Sequence, residues 1–313
     1  MNKERKIKLN SDEIILDMKK KGITFNTMSI ENVKDYLNTH TYYFKLKSYA
    51  KNYIKNPVRN KYSGLDFSYL QDLARLDMLF REVIFKITVD IEHLIKVQIM
   101  SCSQNNPNDD GYTIVKDFLN THSQLNKSIK DKAGKEVITG YNIALIKNNY
   151  PDMPIWVLLE IISFGDLIQF YNYYTKKYNI QNTLYNFLWS VRIMRNAAAH
   201  NSCILNRLNE YTPENKINYS LRKTIKELLP ELDTQKLKKY LTNPVLQDFM
   251  DVMIVFRMLD KDRQTLLKRL QDINDFFIRC KQNKNYYNSN KNLVATFNFA
   301  QSFIDEYKKT LTN

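Results

Sequence analysis

Residues 68–100, SYLQDLARLDMLFREVIFKITVDIEHLIKVQIM, decide the fold class. Leu73, Leu76, Phe80, Ile84, Ile87, Ile91 and Ile95 recur at steps of three and four, the period that places apolar side chains on one face of an α-helix. Ser68 and Gln71 open the run as a Ser-x-x-Gln capping box, and the NNPNDDG turn at 105–111 closes it, so one helix of about thirty residues is predicted.

Composition extends this preference to the rest of the chain. Its 313 residues include only 6 Gly and 7 Pro, few for the turns of a many-stranded sheet, and 43% are apolar, enough for a core in one large or two modest domains. An all-α chain is predicted. Before the long helix come short ones, with Ser11 and Ser29 as N-caps, Gly22 as a stop, and a helix ending before Pro57 that would carry Lys47, Lys51 and Lys55 as one stripe. After it, 127–140 reads as a loop or small hairpin, and the helical pattern then resumes as far as Tyr150, before Pro151. Pro154 suits the first turn of a helix carrying Trp156, which Gly165 punctuates, and Phe170 to Tyr178 continues as helix. A further helix runs from about Thr183 to roughly Asn206. Residues 216–313 are helical again, with Pro230 and Pro244 as breaks or starts and 281–292, KQNKNYYNSNKN, as a polar linker before a last amphipathic helix. The predicted organisation is a basic N-terminal helical region (1–66), an antiparallel bundle of two long and two shorter helices (67–208), and a C-terminal helical region (209–313).

Lys and Arg number 47 against 33 Asp and Glu, a net charge of +14, which points to a polyanionic partner. Cys102, Cys203 and Cys280 are odd in number, far apart and without Cys-x-x-Cys spacing, so neither a disulfide framework nor a zinc site is expected. No apolar run reaches the length of a membrane span and the opening MNKERKIKLN lacks a signal peptide's apolar stretch, so a soluble cytoplasmic protein is expected. No Gly-rich phosphate loop occurs, which disfavours a nucleoside-triphosphate-driven enzyme, and no cofactor is expected.

The chemistry-bearing stretch is VRIMRNAAAHN, 191–201. Ala197, Ala198 and Ala199 favour helix and leave neighbouring side chains uncrowded. Residues four apart on a helix lie about 40° from each other, so Arg192, Asn196 and His200 form one line, while Arg195 stands beside it and can swing its long side chain round. Histidine can move protons near neutral pH, and arginine forks can hold a phosphate bidentately and stabilise its transition-state charge. That set suits phosphodiester cleavage. A solvated histidine on a helix surface is the alternative.

From Tyr36 to Leu65 there is no Asp or Glu, while Lys45, Lys47, Lys51, Lys55, Arg59 and Lys61 alternate with Tyr42, Tyr43, Tyr49, Tyr53 and Tyr62. Lysines track phosphates and aromatic faces stack bases, the combination expected for single-stranded or looped RNA; a solvated charged face is the alternative. His93, beside Glu92, reads as an ordinary helix histidine, and His40 and His122 as solvated turn residues. Glu160 and Asp166 read as solvated positions or caps rather than paired carboxylates.

RNAAAH resembles the Arg-Asn-x-x-x-His signature of the HEPN superfamily of metal-independent ribonucleases, and the wider pattern resembles the abortive-infection Abi-like family of phage-defence proteins over roughly residues 20–208. Four blocks carry the resemblance in order: YYFKLKSY at 42–49; LDMLFREVIFKITVDIEH, ending at Ile91, Glu92 and His93; PIWVLLEIISFG at 154–165; and RNAAAHNSCILNR, with Asn206 and Arg207 at its end. Ala199 and Asn201 stand where the family often has Cys and a second His. The resemblance implies a HEPN-type antiparallel bundle with N- and C-terminal helical additions, paired with a second copy so that two motifs face one cleft. It implies attack of RNA's own 2′-hydroxyl on the adjacent phosphate without a metal, with His200 as base or acid, Arg195 on the phosphate and Asn196 orienting the imidazole or the partner's motif. A binding protein for a structured noncoding RNA that does not cut it, and a helical protein-binding adaptor, are the rival readings.

Overall fold

The computed structural model describes residues 7–135, 140–210 and 219–312. Among them are fifteen α-helices and four two-residue strands, so the chain is all-α. The N-terminal helices are α1 (Ser11–Lys20), α2 (Ile30–Thr39) and α3 (Tyr43–Ser48), followed by a 3₁₀ turn, Tyr49–Asn52. The long helix is α4 (Phe67–Gln104), after which come α5 (Thr113–Thr121), α6 (Ser123–Ala133), α7 (Ile143–Asn149), α8 (Ile155–Ile161), α9 (Phe164–Lys177) and α10 (Tyr185–Ala199). The C-terminal helices are α11 (Tyr219–Leu228), α12 (Thr234–Tyr240), α13 (Pro244–Leu259), α14 (Arg263–Gln282) and α15 (Lys291–Thr312). Strand β1 (Ile23–Thr24) pairs in parallel with β4 (Leu65–Asp66), and β2 (Lys55–Asn56) pairs antiparallel with β3 (Lys61–Tyr62).

Every member of the apolar stripe on α4 is buried, as its period requires. The helix starts at Phe67, two residues earlier than a capping box with Ser68 as N-cap predicts. Asp66 is the capping side chain, accepting the Ser68 N–H and hydroxyl at 3.1 and 2.7 Å. It also accepts from the Asn26 N–H, Thr24 and Thr27, so one carboxylate ties the helix start to the segment after β1. Burial alone would raise the Asp66 pKa, but these hydrogen bonds outweigh it and hold the carboxyl below its ordinary range. Likewise α1 is capped by Asn10 in a reciprocal box with Glu13, and Ser11 is its first helical residue; Ser29 caps α2 as expected. Gly22 does stop α1, at φ +85°, and a Cβ there would meet the Tyr62 carbonyl oxygen at 2.5 Å, so the hairpin's approach demands glycine twice over.

The described chain divides by packing into two compact units, one made of residues up to Lys86, Met194–Met250 and Asp262 onward, the other of Ile87–Ile193 and Asp251–Lys261. In the first, Phe80 packs between Phe249 and Phe276 at ring separations of 5.7 and 5.3 Å, and Tyr240 stacks on Phe299. The segment read as a polar linker is an anchor in this unit. Tyr287 is buried and donates to Asp72 of α4 at 2.6 Å, joined there by Arg279 and Asn283 at 2.6 and 2.7 Å. In the second unit, Phe118 meets Phe170 edge to face at 5.0 Å, and Tyr174 donates to Asp109 at 2.8 Å.

Other boundaries differ from the sequence reading for local reasons. Residues 127–133 continue α6 rather than forming a loop or hairpin, because Ile129 finds a buried face; 136–139 lie outside the described residues. The break near Gly165 falls earlier, at Ile162 and Ser163, where Ser163 caps α9 and accepts the Asp166 N–H; Gly165 sits inside that helix's first turn. The helix thought to reach Asn206 ends at Ala199, and seven helices rather than four occupy residues 67–199. The breaks at Tyr150 and Pro244 stand as expected, while 216–218 lie outside the described residues.

Candidate functional site

The end of α10 is built by its own sequence. The Ser202 N–H reaches the Ala197 carbonyl at 2.8 Å and the Asn201 N–H reaches that of Ala198 at 3.2 Å, the paired bonds of a Schellman cap. Asn201 holds the left-handed position at φ +55°, which asparagine tolerates better than a β-branched or bulky residue. A residue with this job stands where the resembled family often has histidine. His200 is the helix's last half-turn: its N–H still reaches the Asn196 carbonyl at 2.9 Å, and its side chain is exposed. One turn back, Arg195 Nη1 donates to Asn196 Oδ1 at 3.2 Å, so the structure joins these two side chains directly. Among the described residues no hydrogen bond orients the His200 imidazole.

The loop that follows has no sheet or helix partner, and buried side chains satisfy its backbone instead. Asp77, fully buried on α4, accepts the Ile204 and Leu205 N–H groups at 2.9 and 2.7 Å, the Tyr49 hydroxyl at 2.7 Å, and the Arg81 guanidinium. Asn52, also buried, donates to the Leu205 carbonyl at 2.7 Å and accepts the Leu208 N–H at 2.9 Å. Its own carbonyl accepts from Asn209 and Asn290. Asn243 donates to the carbonyls of Arg207 and Glu210, both at 3.0 Å. Neither Asp77 nor Asn52 stood out in the sequence. The available signal was a charged residue on the apolar face of α4, next to Leu76 and one turn before Arg81.

The aromatic-basic stretch lies against the same loop, though in a form the sequence did not predict. Lys45 Nζ donates to the Asn201 carbonyl at 2.8 Å, and the Lys45 carbonyl lies 3.8 Å from Cys203 Sγ. Partial burial, and then the nearby Arg81 charge, lower the Lys45 pKa. The single helix expected to carry Lys47, Lys51 and Lys55 does not form; they fall on α3, the 3₁₀ turn and β2, because 55–62 pairs as a hairpin around Pro57. Lys47 lies over the Tyr43 ring and 3.9 Å from Asp17, Lys55 lies over the Tyr62 ring, and Lys51 and Arg59 are exposed. Tyr49 is a correction: it is completely buried on Asp77, its phenol pushed up by that burial, and offers no face for stacking. Tyr43 is half-buried and donates to Asp17, while Tyr42 and Phe44 are the exposed rings of this stretch.

Arg192 lies over the Trp189 ring at 5.3 Å and against Gly165, where a Cβ would come within 2.9 Å of its Nε; the glycine makes room for the guanidinium. The remaining titratable candidates are accounted for singly. His122 is not solvated: its ring packs on Phe118, with Nδ1 2.9 Å from the Phe118 carbonyl and Nε2 3.0 Å from Gln169 Oε1. His40 stacks on Tyr36, and His93 is exposed. Asp166 is engaged by Ser163 at the start of α9 and Glu160 faces Lys96 at 4.0 Å, so they form no carboxylate pair. Among the described residues no group of three His, Cys, Asp or Glu is placed to hold a metal ion, and no helix is long and apolar enough to cross a membrane.

Comparison with curated proteins and with solved structures finds no match. A family model described as Abi-like protein matches residues 35–206, which take in α3, the whole of α4 with Asp77, and α10 with the first part of the loop beyond it, Ile204 and Leu205 included. That match covers more than half of the chain, and the chain therefore belongs to the Abi-like protein family, an assignment that points to abortive-infection phage defence.

Proposed function

We propose that this chain is a phage-defence RNA endonuclease that cleaves without a metal through Arg195, Asn196 and His200. The observation that carries the reading is the end of α10: an arginine–asparagine pair at 3.2 Å, one turn before an exposed imidazole on a helix end whose following loop is clamped by buried Asp77 and Asn52. A rigid mount for reactive groups is what positioning chemistry needs. In the proposed reaction the 2′-oxygen attacks the adjacent phosphorus and the bond to the 5′-oxygen breaks, leaving a cyclic phosphate and a free 5′-hydroxyl. A base takes the 2′ proton, an acid gives one to the leaving oxygen, and Arg195 holds the charge building on the phosphoryl oxygens. His200 supplies one of the two proton-transfer groups and a second copy of the chain the other, so the active form is a homodimer. Lys45, Lys51 and Arg59 belong to a surface that holds the RNA, and Arg192, on the same helix as Arg195, is a further phosphate contact.

The second reading, a protein that grips a structured noncoding RNA without cutting it, draws on the His200 ring itself, which no described residue orients. The deciding experiment is cleavage by wild type and His200→Ala in chelator, with the ends of copurifying and product RNA determined. Loss of about two to four orders of magnitude, with cyclic phosphate ends in the wild-type products, supports the nuclease. Equal cleavage by the variant removes His200 from the chemistry, and tight RNA binding with no cleavage by either chain establishes the second reading.

A further inference from the structure

The second unit holds a cleft that the proposed nuclease chemistry does not use. It has a volume of about 340 Å³ and lies between one face of α5, the start of α6 and the loop joining α7 to α8. Tyr112, at the N-cap of α5, and Lys116 and Asn120 on that helix line it at four-residue steps, Asn126 adds a side chain from α6, and Tyr150 and Asp152 come from the loop. The Ile155 N–H, at the start of α8, donates to the carbonyl of Gly111, in the turn before α5, at 2.8 Å and ties the two sides of the cleft together. Trp156, from the Pro-x-Trp block that the catalytic reading leaves without a role, meets the Tyr112 ring edge to face at 5.9 Å and fixes its plane.

The groups that line the cleft match a nucleotide in kind. Tyr112 is exposed and Tyr150 half-buried, so aromatic faces remain for a base to stack on. The side chains of Asn120 and Asn126 have no hydrogen-bond partner among the described residues, and each presents one acceptor and two donors, the inventory that reads a base edge. Lys116 and Asp152 share the cleft without an ion pair to any described residue, leaving an ammonium for a phosphate and a carboxylate for sugar hydroxyls. An apolar ligand would leave these amides without a partner, whereas a base edge supplies donors and acceptors for both.

We propose that this cleft binds one unstacked nucleotide, its base against Tyr112, its edge read by Asn120 and Asn126, and its phosphate on Lys116. A free mononucleotide and a single nucleotide of an RNA strand share this chemistry; only the strand source rests on the RNA reading above.

The test is a calorimetric titration of the full-length protein with 5′-AMP, GMP, CMP and UMP, and with a 2′-O-methylated pentanucleotide keeping one free ribose at its 3′ end, which 2′-hydroxyl chemistry cannot cleave. Saturable binding of at least one mononucleotide is expected. Tyr112→Ala weakens it about fivefold or more, the low end of one base–aromatic stack, and Tyr112→Phe restores it. Lys116→Gln abolishes the advantage of the bound mononucleotide over its nucleoside, titrated in parallel. Tyr112 is a surface residue, and an unchanged thermal melt confirms that the alanine variant is folded. Pentanucleotide binding tighter than the mononucleotide, and lost with Tyr112→Ala, assigns the site to a strand; binding no tighter assigns it to free nucleotide. No saturable binding of either probe, or binding indifferent to Tyr112→Ala, overturns the proposal. Failure here leaves RNA cleavage by wild type intact, whereas failure of the nuclease reading leaves mononucleotide binding intact.

Discussion

The carboxylate of Asp77 accepts the backbone N–H of Leu205 at 2.7 Å, joining the core of α4 to the loop beyond the Arg-Asn-x-x-x-His stretch across 128 residues of sequence. The same carboxylate holds Ile204, Tyr49 and Arg81, so it is the centre of a fully buried polar network. Networks of this kind are costly to break from one side, because every partner is left desolvated and unpaired. Asp77→Ala should cost about 3–5 kcal/mol by urea unfolding, with Asp77→Asn in between since it keeps one acceptor oxygen. An alanine variant within 1 kcal/mol of wild type would show that water replaces the network at little cost.

Asn201 occupies the left-handed position that ends α10 beside His200. Asn201→Gly should leave stability nearly unchanged, since glycine adopts that conformation freely, whereas Asn201→Val should cost about 1–2 kcal/mol. If the helix end positions the imidazole, RNA cleavage should follow the same order, with the glycine variant active and the valine variant impaired. Equal cleavage by both would mean that the cap does not position His200.

Acid should loosen the start of α4. The Asp66 pKa is lowered in the folded protein, so the carboxylate's stabilisation is fully present above its unfolded value near 3.9 and is lost as pH falls through the lower folded value. Wild type should therefore lose more stability than Asp66→Asn between about pH 5 and pH 2, with the two curves parallel above that window. Urea midpoints across pH 2–7 check this, and parallel curves throughout would show no net linkage at Asp66.

Lys47, Lys51 and Lys55 do not form one stripe, which changes what their removal should do. Replacing all three by Gln should flatten the slope of log RNA affinity against log salt by roughly two units at most, about 0.7 for each phosphate contact to a single strand. Lys51→Gln alone should account for the largest share, because Lys47 lies near Asp17 and over Tyr43 while Lys55 lies over Tyr62. Salt titrations of the single and triple variants read this directly; an unaltered slope for the triple variant would move the RNA surface away from this stretch.

Sequence by itself determined what depends on local backbone preference and periodicity. The apolar stripe from Leu73 to Ile95 implied a long helix with one buried face, and sparse Gly and Pro implied an all-α chain; both are features of the structure. The ordered blocks likewise implied the Abi-like family that the family model matches. Tertiary structure alone decided which polar residues are structural. Tyr49 and Tyr42 belong to one alternating pattern, yet one is buried on a carboxylate and the other is exposed. Asn52 lies in a polar run that reads as solvent-facing, yet it holds a loop 153 residues away. The polar segment around Tyr287 reads as a linker, yet its tyrosine is buried on Asp72. The reason is physical: a helical period reports which face of a segment is apolar, whereas the burial of a tyrosine or an amide depends on the surface that comes to face it. That surface is supplied by distant parts of the chain, and hydrogen bonds across such separations leave no period in either partner.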